Sequence, residues 1–199
     1  MKNFWLSLVW VCALAISANA NAGVVYDIQN NKLVGANGID INGELYSVTF
    51  GDSCSSMYGG CNSSLFDFTT QQGAVSALTA LFAQVLVDNV NVNGTVYNFD
   101  SRPELVQSCN RGGFCEMWVP YQVSGSSVTS AWWVNTSGND YVGSNAWTGA
   151  YSYGNGMDYM AFTNWEKMSA NGIPEPASLV LVALGVAGLG FTRFKSKAA

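Results

Sequence analysis

Two apolar runs, Phe4 to Ile16 and Leu179 to Phe191, stand near the ends of this 199-residue chain and limit how much of it can fold as a domain. Each sits among short signals of a processed terminus. About 150 residues remain between them, enough for one globular domain with a real core.

At the front, Lys2 supplies a positive n-region before the apolar run, and Ser17 to Ala22 are small residues with Ala-x-Ala ending at Ala20 or Ala22. The pattern is that of a secretory signal peptide over residues 1–22, and the run is short for a spanning helix. Export changes how cysteines are read. Cys12 would leave with the signal, and Cys54, Cys61, Cys109 and Cys115 would remain in an oxidising compartment. Four cysteines allow three connectivities. Spacing favours the local pairs Cys54 with Cys61 and Cys109 with Cys115, each closing a loop with two glycines that let the chain reverse tightly. A four-thiolate zinc site is the rival reading, but it usually has closer cysteine pairs and a reducing compartment.

Between residues 23 and 172 the expected domain is α+β: a mainly antiparallel sheet packed against one amphipathic helix, with disulfide-closed loops. Ile39-Asp40-Ile41 alternates, Asn42-Gly43 supplies a two-residue turn, and Leu45 to Phe50 returns with Tyr46, Val48 and Phe50 on one face. A strand over Val24 to Ile28 precedes this hairpin. Thr69 with Gln72 forms a capping-box pattern, and Ala74, Val75, Leu78, Leu81, Phe82, Val85 and Leu86 recur at helical spacing. Beyond the helix, Val92-Asn-Gly-Thr-Val-Tyr97 repeats the logic of Ile41-Asn-Gly-Glu-Leu-Tyr46. Further strands are expected at Cys115 to Val123, Val128 to Asn135 and Met157 to Trp165. Ser137 to Gly156 reads as loops with at most a short edge strand.

Charge narrows the partners. Charged residues are 11% of the chain. The domain has four bases (Lys32, Arg102, Arg111 and Lys167) against twelve acids, a net −8 that disfavours nucleic acid and anionic lipid. No histidine is present, which removes His-based acid–base catalysis, His-paired nucleophiles and His-ligated zinc.

At the rear, Pro174, Glu175 and Pro176 precede the second apolar run, and Arg193, Lys195 and Lys197 follow it. About 15 apolar residues at 1.5 Å rise span roughly 22 Å, short of a hydrocarbon core of about 30 Å. The basic tail orients the C-terminus to the cytoplasm. The prolines hold an extended stretch that a membrane protease could engage. This tripartite tail, residues 173–199, resembles the PEP-CTERM sorting signal of Gram-negative bacteria. The resemblance implies processing by an exosortase, transient inner-membrane anchoring as a transmembrane helix, and delivery to the cell surface or an exopolysaccharide matrix such as a biofilm. The Asn-Gly hairpin, cysteine loop and Ala-rich helix also look like other domains carried on PEP-CTERM proteins, and that likeness implies no activity.

Three constellations could carry chemistry. Asn89, Asn91, Asn93-Gly94 and Asp100 fit the spacing of an EF-hand loop, but with Asn first, Asp last and no exiting helix, so calcium would bind weakly; the plain alternative is an Asn-Gly turn between strands. Trp133, on the strand face opposite Trp132, and Trp147 in the Gly-rich stretch are the expected glycan contacts. The opposing reading places the tryptophans in the core. Asp52, Asp67, Glu104 and Glu116 could in principle pair for glycoside hydrolysis, yet no spacing selects any two. The expectation is an exported, exosortase-processed surface or matrix protein, structural or adhesive, without catalysis or cofactor. The alternative is a carbohydrate-binding module for matrix polysaccharide.

Overall fold

In the computed structural model, which describes residues 23–169, asparagine turns build the first three strands. β1 (Val25–Gln29) reverses through Asn30 and Asn31, at φ of 51° and 61°, into β2 (Lys32–Ile41). Asn42 and Gly43, at φ of 56° and 86°, lead into β3 (Glu44–Gly51). Positive φ at both turn residues matches the twist of the strands they join. Tyr46, Val48 and Phe50 are buried together, as their alternation predicts.

The chain then leaves the sheet. α1 (Cys54–Met57) is capped by Ser53, and the disulfide Cys54–Cys61 closes its loop. α2 (Gln71–Gln84) is capped by Thr70, whose hydroxyl accepts from the Gly73 N–H at 3.1 Å; the helix begins one residue later than the Thr69–Gln72 pattern predicts. Ala74, Ala77, Leu78, Ala80 and Leu81 are its buried residues. A separate hairpin follows, β4 (Val90–Val92) and β5 (Thr95–Tyr97). The disulfide Cys109–Cys115 then introduces β6 (Phe114–Ser124), β7 (Ser127–Thr136), β8 (Tyr141–Ala150) and β9 (Met160–Lys167). Both disulfides are the local pairs that the spacing favours.

The large sheet runs β1-β2-β3-β9-β6-β7-β8. Two antiparallel meanders are joined by the last strand, which lies antiparallel to β3 and parallel to β6. The sheet is therefore not wholly antiparallel. Pro120 sits in β6 without harm because the β9 pairing covers only Glu116 to Trp118 and a register shift with β7 follows the proline. β8 spans ten residues where only loops and a short edge strand are expected. Helix is a minor partner: 48% of the described residues are in sheet and 16% in helix.

Both sheet faces are covered. On one, α2 packs against β2, β6 and β7, closing a core that includes Ala36, Ile39, Val48, Met117, Val119 and Trp165. On the other, the first disulfide loop and the segment Tyr151–Tyr159 cover Trp118, Met160 and Phe162. The signal segment, Cys12 and the tail with Pro174, Glu175, Pro176, Arg193, Lys195 and Lys197 lie outside the described residues. Among the described residues no helix is long and apolar enough to cross a membrane.

Candidate functional site

The EF-hand-like segment folds as a hairpin. Asn93 and Gly94, at φ of 51° and 86°, are its turn, and the Asn91 side chain accepts from the Gly94 N–H at 3.0 Å. The Asn89 N–H donates to the Asn98 side chain at 2.9 Å, closing the base of the hairpin. Asn91 thereby supports the turn. Asp100 lies near Asp88 and Asp140, and partial burial raises its carboxyl above the usual range. Among the described residues no cluster of three or more acidic, cysteine or histidine side chains is arranged to hold a metal.

The expected glycan contacts are both packed. Trp133 is half-buried on the helix side, its ring edge-on to Phe82 of α2 at 5.5 Å, and its indole N–H reaches Asn145 Oδ1 at 3.5 Å. The helix covers this face of β7, so the ring is packed against α2 rather than fully exposed. Trp147 is half-buried on the other face, 4.9 Å from Trp118 and 4.3 Å from Tyr153. Its ring lies over Gly149, where a Cβ would come within 1.9 Å of it. Trp132 lies in the same way over Gly143 and stacks on Trp118 at 5.3 Å. Absent side chains on β8 make room for these rings.

The four carboxylates are spread out. Asp52 is exposed just before α1. Asp67 accepts from the Lys167 N–H, Glu104 from the Arg102 guanidinium and Glu116 from the Trp118 indole. Burial pushes the Glu116 carboxyl up, and the Trp118 hydrogen bond offsets part of that. Each of these three has a structural partner of its own.

One corner of the surface brings together residues of which the sequence singles out Asn93 alone as a site candidate, and that as an ion ligand. Phe99 is fully buried and stacks with two tyrosines, Tyr97 at 5.4 Å and 9° and Tyr26 at 5.7 Å and 19°. The stack is fixed: the Phe99 N–H donates to the Val87 carbonyl, Asn135 Nδ2 donates to the Phe99 carbonyl at 2.8 Å, and the Tyr26 hydroxyl donates to the Gln84 carbonyl at 2.9 Å. A groove of about 440 Å³ opens beside it, lined by Tyr26, Asp27, Asn30, Asn31, Asn93 and Tyr97 among others. A second, of about 340 Å³, shares Asn31, Thr95 and Tyr97 and continues to Arg102 and Leu105. Asn30, Asn31 and Asn93 are exposed and line the larger groove. The available signal was the repeated Asn-Gly-x-x-Tyr pattern. Tyr46, at the corresponding position of the first hairpin, is buried, whereas Tyr97 keeps an exposed part.

Residues 172–193 match the family described as the PEP-CTERM protein-sorting motif. The tail is a PEP-CTERM sorting motif. It includes Pro174, Glu175, Pro176 and Arg193, and Lys195 and Lys197 lie just beyond the match. No curated protein and no solved structure is significantly similar to the chain. The PEP-CTERM motif is consistent with an exosortase substrate, exported with a transient membrane anchor and bound for the cell surface. It covers none of the folded domain.

Proposed function

We propose that this PEP-CTERM protein is a non-catalytic, structural or adhesive component of the cell surface or of an exopolysaccharide matrix. The observation that carries the reading is the sorting motif at residues 172–193, placed directly after a disulfide-closed domain. The candidate carboxylates support a role without catalysis, because Asp67, Glu104 and Glu116 are each engaged in a structural hydrogen bond. The intact mass of the extracellular protein tests it. A mature chain would begin near Ala20 to Gly23, end near Pro174-Glu175-Pro176 and lack four thiol hydrogens. Extracellular protein that still carried Arg193 to Ala199, or protein held in the cytosol, would overturn the reading.

Carbohydrate binding is the second reading. The specific observation favouring it is the tyrosine-floored groove with its exposed asparagines; Trp133 and Trp147 are packed into the fold.

A further inference from the structure

We propose that the groove between the Asn30–Asn31 turn and the Asn93–Gly94 turn binds a neutral oligosaccharide, with Tyr97 as the platform between two neighbouring sugar subsites. This rests on the carbohydrate-binding reading and gives it a place, residues and a ligand class.

The platform comes first. A pyranose presents one C–H face that packs on a flat ring, and a ring serves best when already immobile, since ordering it on binding costs free energy. Tyr97 meets that condition. Its ring is stacked on Phe99, whose backbone is tied on both sides by hydrogen bonds. The ring lines both grooves, so it stands where they meet.

The rim comes second. Sugar hydroxyls both donate and accept, and an asparagine amide does both as well. Asn30, Asn31 and Asn93 stand at positive φ in tight turns, so their positions are set by the backbone. Two grooves of about 440 and 340 Å³ meeting at Tyr97 fall in the size range of small-molecule sites and suit consecutive sugar units.

Charge chooses the class. Asp27 is the charged side chain in the larger groove, and Arg102 in the smaller is already ion-paired with Glu104 at 2.9 Å. The domain has twelve acids against four bases. A uronate chain would meet repulsion without a free cation to answer it, whereas a neutral glycan would not.

The test uses the full chain in mild detergent with three probes: cellohexaose, chitohexaose and a galacturonate hexamer. Binding is read by titration calorimetry, and contacts by saturation-transfer NMR. The expected result is binding of a neutral hexamer, weakened at least tenfold in Tyr97→Ala and several-fold in Asn31→Gly, with Trp147→Phe unchanged. Asn31→Gly removes the amide while keeping a residue suited to positive φ. Melting curves verify folding; if Tyr97→Ala does not fold, Asn31→Gly and the saturation-transfer contacts of the wild type decide. Neutral binding unaffected by both variants would overturn the site and leave the carbohydrate reading standing. Preference for the galacturonate would overturn the ligand class. Failure to bind any of the three would overturn site and reading together.

Discussion

Trp118 donates its indole N–H to Glu116 Oε2 at 3.2 Å, two residues back along the same strand face. That bond does not fully offset the partial burial of the carboxylate, which leaves its folded pKa above the ordinary range. The unfolded chain then ionises at lower pH than the folded one. Protein stability from this group is greatest below the unfolded value of about 4.3 and falls as pH rises through the folded value. Glu116→Gln keeps an acceptor for Trp118 and removes the charge. Its melting temperature should exceed the wild type at pH 7, and the gap should close toward pH 4. A gap that stays constant with pH would refute this.

The two disulfides should act independently. Each closes a loop of seven or eight residues, and chain entropy gives about 2.5 kcal/mol for a loop of this size. Cys54→Ser with Cys61→Ser frees α1, which packs on β3 and β9, and Cys109→Ser with Cys115→Ser frees the entry to β6. Urea unfolding of the two double variants should show losses near that figure, additive when combined. A loss far above the sum would reveal coupling between the loops.

Local structure was legible in this sequence, and sheet order was not. Asn42-Gly43 and the alternation around it specify their hairpin because turn and strand signals act over a few residues. The cysteine spacings specify their pairs for the same reason. The insertion of β9 between β3 and β6 leaves no local mark, since Met160 to Lys167 would read equally well beside either neighbour. Ser137 to Gly156 reads as loop because it is rich in Gly, Asn, Ser and Tyr; the use of Gly143 and Gly149 in β8, making room for the Trp132 and Trp147 rings, exists only once the sheet is assembled. The same limit hid the Tyr97 groove, whose walls come from two turns more than 60 residues apart in sequence.

Trp133 gives a direct test of that lesson. Its edge-on contact with Phe82 makes it part of the helix–sheet contact. Trp133→Ala should lower stability by about 1 kcal/mol from the lost aromatic pair alone, with more from lost burial. Oligosaccharide binding, where present in the wild type, should survive at temperatures where the variant is folded. Loss of binding without loss of stability would return Trp133 to the ligand site.

Thr163 offers the sharpest probe of how the last strand is held. It is fully buried in β9. Its hydroxyl donates to the Trp118 carbonyl at 3.0 Å and accepts the Trp165 indole N–H at 2.9 Å, while its own carbonyl accepts the Tyr58 hydroxyl at 2.8 Å. One residue thus links β9 to β6 and to the first disulfide loop. Thr163→Val keeps the volume but strands a buried indole N–H, at a cost of about 1–3 kcal/mol. Trp165→Ala removes the ring that also meets Phe68 edge-on at 5.8 Å, and should cost about 3–5 kcal/mol. In a double variant the polar penalty disappears, because no indole remains to be left without a partner. Denaturant unfolding of all three proteins should therefore give a combined loss smaller than the sum of the single losses. Strict additivity would show that Trp165 does not depend on Thr163 for its partner.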